Sequence, residues 1–268
     1  MKLHIANGDA ILPMLNERGL DGTILPWREA LVDGPVDGPL ANEQFWNVRK
    51  AFVQSAYGAS AESYETDVAD VFMKIVHVGS WNDIVLWFDR DLFCVVNATF
   101  LLYHLRPSHA MGARITWMLD GNVADQSTDA IWDATLSGFP LGASHLISNV
   151  IELTRDDLAY AAQMWRAYAG PEPRELERLI QNEDPGQLEF IRDAYALHLQ
   201  RFPSVQTGRS PLEETLLAIE DPEPINYFLR EHNEGFGFGD VQVERMLTRT
   251  KSSPLPPLQL GGYTPGVQ

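Results

Sequence analysis

The chain has 268 residues, 45% of them hydrophobic and 10% aromatic, enough for one large or two ordinary globular domains with a buried core. Its formal net charge of −17 is spread along the whole length, which favours solubility and opposes non-specific attraction to nucleic acid or anionic lipid. Cys94 is the only cysteine, so an intramolecular disulfide and any cysteine-rich zinc site are excluded, as expected of a bacterial-style cytoplasmic protein.

Taken in order, "LHIA" at residues 3–6 is a short apolar run that ends in Asn7-Gly8-Asp9. Helical spacing of apolar residues follows from Ala10 to Arg18, and Gly19 stops it, giving strand, turn and helix. "TILP" repeats the strand pattern and delivers the chain to Trp27-Arg28-Glu29, after which "DGPVDGP" is a loop dictated by Gly and Pro. Two helices are expected near 41–57 and 61–75. "DIVLWF", "RITWML" and "HLISNVIEL" read as further strands, with an apolar helix from Leu92 between the first two. The run from Leu92 to Leu105 is too short to span a bilayer and is broken by Asn97, and the amino terminus lacks the apolar core of a signal peptide, so no membrane partner is expected. Continuous apolar strands separated by helices predict an α/β fold, a mostly parallel Rossmann-like sheet flanked by helices, over residues 1–153.

From Thr154 the pattern becomes helical, with Thr154 as an N-cap and Asp157 three residues on. Helices are expected near 155–169, 172–181, 186–201, 211–219, 222–233 and 239–249, making a helical domain over 154–250. The tail 251–268 is too rich in Pro and Gly for regular structure. No internal repeat of 20 to 50 residues occurs.

Open α/β sheets bind ligands beyond the carboxyl ends of their strands. Asn7 and Asp9 follow the first strand, Arg28 and Glu29 the second, and Asp89, Arg90 and Asp91 the third. If these strands are neighbours, four carboxylates, Asp9, Glu29, Asp89 and Asp91, converge with an arginine. Such a set suits Mg²⁺ or Mn²⁺, because hard cations prefer oxygen ligands, while Arg28 forks onto phosphate oxygens. Asp89 and Glu29 are then the candidate catalytic groups, and Asn7, Gly8, Asp9, Arg28, Asp91 and Asn97 the candidate ligand contacts. The competing reading is local. Asp91 caps the helix from Leu92, Asp89 or Glu29 pairs with Arg28 or Arg90, and Asn-Gly-Asp is ordinary turn chemistry. Cys94 and Asn97 share a helix face, and a buried Asn97 needs a hydrogen-bond partner. A thiol near a helix N-terminus can have a lowered pKa, although a single buried Cys is usually packing.

Several motifs are absent. The seven histidines form no HExxH or other metal pattern, and neither GxGxxG after the first strand nor GxxxxGK[ST] nor GxSxG occurs. "GFGFGD" at 235–240 follows a helix rather than a strand, which reads as a helix stop and a flexible turn before Asp240.

The segments "LHIANGDA", "LPWREALVDGPV", "VLWFDRDLFCVVNATFLL", "AAQMWRAYAGPEPRELERLI" and "LEFIRDAYALHLQRFPSVQTGRS", in that order, resemble the bacterial family called domain of unknown function 1835, with its helical carboxy-terminal extension. The resemblance reaches to about residue 215. It implies that Asn7, Gly8, Asp9, Trp27, Arg28, Glu29, Asp89, Asp91 and Asn97 occupy the family's motif positions, but it implies no activity. This chain departs from the family at Val95, where a glutamine is common, and at 211–214, where "PLEE" replaces a basic stretch. The family's carboxy-terminal part resembles a helix-turn-helix module, whereas the corresponding region here is acidic, against DNA recognition.

The leading expectation is therefore a small phosphate-bearing or nucleotide-like ligand at the strand ends, with a metal-assisted hydrolase or transferase as its enzymatic form. The alternative is a regulatory or interaction protein presenting aromatic residues from "MWRAYAG". Its competing reading makes Met164, Trp165 and Tyr168 the core face of a helix.

Overall fold

The computed structural model describes residues 1–77, 79–118, 150–204 and 207–251. The expected tail from 252 on and most of the run preceding Val150 lie outside the described residues. The first half contains β1 (Lys2–Asn7), α1 (Leu12–Glu17), β2 (Thr23–Trp27), α2 (Glu43–Tyr57), α3 (Ala61–Tyr64), α4 (Asp70–Ile75), β3 (Asp83–Trp87), α5 (Leu92–Ala110), β4 (Arg114–Met118) and β5 (Val150–Glu152). Six helices follow: α6 (Arg155–Tyr168), α7 (Pro173–Asn182), α8 (Glu189–Leu199), α9 (Pro211–Leu217), α10 (Pro224–Glu231) and α11 (Asp240–Lys251).

The sheet runs β2-β1-β3-β4-β5, parallel throughout except for β5, which pairs antiparallel with β4. Pro26 explains why β2 is an edge strand: proline has no N–H to donate to a second neighbour. Side chains alternate across the central strands. Leu3, Ile5, Ile84, Leu86, Ile115 and Trp117 face the large core, while Ala6, Val85, Trp87 and Met118 face a smaller cluster closed by α1 through Leu15. The fold class is α/β with a mostly parallel sheet flanked by helices and a helical carboxy-terminal part.

The expected helix at 61–75 is continuous, but its middle, Glu65–Ala69, is a π turn that joins α3 to α4. Thr154 caps α6 in a reciprocal capping box with Asp157, as the sequence predicts. Helix α5 is buried along almost its whole length because it lies between the sheet and the later helices, packing against α6 and α8. Met164, Trp165 and Tyr168 are all nearly inaccessible, so the aromatic residues of "MWRAYAG" belong to the core. One hydrophobic core crosses the expected boundary at residue 153. Across it, Trp165 Nε1 donates to Pro39 O at 2.9 Å, Tyr168 OH to Leu31 O at 2.8 Å, and Thr99 Oγ1 meets Tyr195 OH at 2.6 Å. Among the described residues no helix is long and apolar enough to cross a membrane.

Candidate functional site

The strand order decides whether the three polar strand ends meet. β1 lies between β2 and β3, so Asn7-Gly8-Asp9, Arg28-Glu29 and Asp89-Arg90-Asp91 leave the sheet side by side at its carboxyl edge. The chain also changes direction across the sheet between β1 and β3, which is where open α/β sheets form a ligand crevice. Gly8 makes the tight exit possible: its φ of 77° lies in the left-handed region, and its N–H donates to Trp27 O at 2.8 Å.

Beneath this edge runs a buried polar chain. Asn97 is fully buried and satisfied; its Nδ2 donates to Glu29 O at 2.7 Å and to Asn7 Oδ1 at 3.0 Å, while its Oδ1 accepts from Leu31 N at 3.2 Å. Asn7 Nδ2 in turn donates to Cys94 Sγ at 3.0 Å. Asn7 and Asn97 thereby stitch the ends of β1 and β2 to α5; with Asn97 fully buried and its amide taken up, this corrects the expectation of Asn97 as a ligand contact.

The four carboxylates do not form one cluster. Glu29 points inward and is fully buried, accepting from Arg49 at 2.9 and 2.7 Å, from Tyr64 OH at 2.6 Å and from Ala30 N at 2.5 Å. Both oxygens are taken up, which corrects the expectation of Glu29 as a metal ligand or catalytic group. Arg49 is also anchored to the carbonyls of Ala30, Asp33 and Pro35, so the pair pins the Gly- and Pro-rich loop to α2. Burial opposes the Arg49 charge, yet Glu29 beside it holds the guanidinium firmly protonated. Burial and the Glu29 carboxylate push the Tyr64 hydroxyl far above its ordinary range.

Asp9 stands at the outer lip. Its carboxylate accepts a fork from Arg28 Nε and Nη2 at 2.8 to 3.0 Å, and these bonds hold Asp9 below the usual carboxylate range. Arg28 also reaches Asp67, on the π turn, at 3.8 Å. Both members of the Asp9–Arg28 pair are partly exposed, so it is loosely held compared with Glu29–Arg49.

Asp89 and Asp91 form the third group, with Cys94: one ligand atom from each lies within 4.8 Å of the other two. Asp91 is the N-cap of α5, accepting from Cys94 N at 2.8 Å, and burial raises its pKa. Cys94 is not an activated thiol. Burial, followed by the charges of Asp91 and Asp89, pushes it well above its ordinary range, the opposite of the effect of a bare helix N-terminus. Burial thus disfavours charge on both Asp91 and Cys94, and Asp89 beside them adds a second carboxylate, so the three groups together offer oxygen and sulfur donors that could hold a cation.

Nothing local to "GFGFGD" says that it seats on this group. Leu92 N donates to Gly235 O at 2.7 Å and Phe93 N to Phe236 O at 3.1 Å, so the loop takes up the first-turn donors that Asp91 does not. Gly237, with φ of 67°, lies so close that any Cβ there would overlap the Asp91 carboxylate. Asn233 holds the loop in shape, accepting from Phe238 N at 3.0 Å and donating to Phe238 O at 2.9 Å. The expected turn before Asp240 is present, and it has this further task. The Gly-x-Gly spacing, with Asn233 before it, marks a turn in the sequence but not what the turn packs on. The chemistry of the edge rests on the chain's own residues, because comparison with known protein families, curated proteins and solved structures found no match.

Proposed function

We propose that the chain binds a small phosphate-bearing or nucleotide-like ligand at the carboxyl edge of its sheet, together with a divalent cation on Asp89 and Asp91. What supports the reading is above all the order β2-β1-β3, which gathers Asp9, Arg28, Asp89 and Asp91 at one switch point. The cation is Mg²⁺ or Mn²⁺, matching carboxylate oxygen donors, with Cys94 remaining a protonated neighbour held by Asn7. Asp91 keeps one oxygen on the α5 cap and offers the other. Arg28 exchanges Asp9 for a ligand phosphate, a swap between two forked, charge-assisted partners of similar strength. In an enzymatic form, a metal-assisted hydrolase or transferase, Asp89 is the candidate base, since Asp91 is the N-cap of α5; Glu29 takes no part.

Isothermal titration calorimetry of Mg²⁺ and Mn²⁺, with and without nucleotides, tests the reading on the wild type and on Asp89→Asn. Cation-dependent heat in the wild type that disappears in a folded Asp89→Asn variant is the expected result. Absence of heat in the wild type overturns the reading, as does binding that Asp89→Asn leaves intact.

A further inference from the structure

A cavity of about 550 Å³ lies where the end of α2 and the loop after β2 meet α9 and α11. None of the strand-end groups Asp9, Arg28, Asp89 or Asp91 lines it, while Arg201, Arg245 and Arg249 all do. We infer that this cavity is a separate anion site that takes a phosphate-bearing small molecule on the three guanidinium groups.

The local charge balance is the first argument. The chain as a whole has 37 acidic residues against 20 basic ones, but the cavity wall reverses the ratio, with three arginines facing Asp33 and Glu244. Asp33 is already engaged, accepting from Tyr57 OH at 2.8 Å and lying 3.8 Å from Arg245.

Arg201 is the second. It is only 7% exposed, yet among the described residues no carboxylate lies within ion-pair distance of it. Its Nη1 donates to Val32 O at 2.7 Å, and its guanidinium lies 5.2 Å from the centre of the Phe238 ring. Neutral partners of this kind satisfy hydrogen bonds without neutralising the charge. A buried cation in that state carries a desolvation penalty, the largest influence on Arg201, and Arg249 adds like-charge repulsion; Tyr168 and the more distant Asp33 oppose these but leave the Arg201 pKa lowered. An anion in the cavity offsets both the desolvation and the repulsion.

The third argument is that the arginines are held in place. Arg249 is pinned by Glu213, which is itself locked in the capping box of α9 with Ser210. Arg245 lies over the rings of Phe52 and Tyr57, at 4.9 and 5.7 Å from their centres. Rigid donors lose little freedom on binding, and the planar fork of Arg matches phosphate oxygens. Leu212, Phe238 and Met246 give the same cavity an apolar side, and its volume suits a ligand of mononucleotide size.

The test is calorimetry and thermal melting with inorganic phosphate, pyrophosphate and adenosine monophosphate, in the presence of EDTA. Chelation silences the cation-dependent strand-end reading, so the two proposals fail separately. The wild type is expected to bind pyrophosphate or the nucleotide and to melt at a higher temperature in its presence. Arg245→Gln is expected to weaken binding about tenfold or more, the loss of one charge-assisted contact. Ser55→Glu is the second variant; Ser55 is exposed on the cavity wall, and the substitution adds a negative charge there without removing a guanidinium. It too is expected to weaken binding, whereas Asp89→Asn leaves the affinity within about twofold. No binding of any of the three anions by the wild type at concentrations up to about 10 mM overturns the inference. Binding that survives both cavity substitutions in folded protein also overturns it.

Discussion

Arg28 and Glu29 are neighbours in the sequence, and their fates are opposite. Arg28 turns outward to a partly exposed Asp9, while Glu29 turns inward to a fully buried Arg49. Alternation along the extended chain leaving β2 is enough to send one to solvent and the other to the core. Neighbouring charges at a strand end therefore divide between core and surface according to where each side chain points. The buried, saturated carboxylate holds the loop that follows Arg28.

The largest expected effect tests the buried side. Arg49→Met leaves Glu29 buried without its cation and is expected to cost about 3–5 kcal/mol in urea denaturation. The double variant Glu29→Gln with Arg49→Met is expected to recover a large part of that loss, because the stranded charge is gone; equal destabilisation in single and double variants would break the comparison.

Acid separates the two regions next. Burial holds His104 down to about 4, so between the unfolded value near 6.5 and about 4 the unfolded chain binds the extra proton and stability falls as pH is lowered. His104→Phe, in a site already ringed by Phe72, Phe100 and Tyr103, is expected to flatten that slope by up to roughly 3 kcal/mol. Asp9 behaves differently. Its depressed pKa contributes stability that is present above about pH 4 and lost only below it, as the pH falls through the folded value. A stability curve measured from pH 7 to pH 3 for wild type and His104→Phe distinguishes the two.

Gly237→Ala is expected to cost about 1–3 kcal/mol, since it combines a positive φ with overlap of the Asp91 carboxylate. Hydrogen exchange should locate the damage at the Leu92 and Phe93 amides, and unchanged protection there would show that the loop is not what covers them. The smallest effect belongs to the open pair. Arg28→Ala is expected to change stability by about 1 kcal/mol or less, while under the proposed function it weakens phosphate-ligand binding about tenfold.

Much of this architecture was legible because it is written locally. Apolar runs marked β1, β2, β3 and β4, and the cap residues Thr154 and Asp91 announced α6 and α5. Asn97, a polar residue within "CVVNATFLL", signalled a buried network correctly, although its partners could not be named. What was hidden depends on pairing across the chain. Nothing near Glu29 says that its partner is Arg49, a cation on a helix face that looks like any solvated one. Strand order is likewise a property of the assembled sheet, and whether the ends of β1, β2 and β3 lie side by side hung on it. The π turn at Glu65–Ala69 leaves no trace in a helical pattern that runs through it unbroken.

The seating of Gly235 and Phe236 on the start of α5 bears on how the protein is made. The amides of Leu92 and Phe93 wait for carbonyl acceptors that lie about 140 residues later in the chain. At a translation rate of about 5–20 residues per second, the ribosome delivers them roughly 7 to 30 seconds after α5 itself. During that interval the newborn sheet keeps its central helix open to water at the carboxyl edge. A nascent chain halted before residue 235 would present that edge uncovered, and synthesis of the last helices closes it.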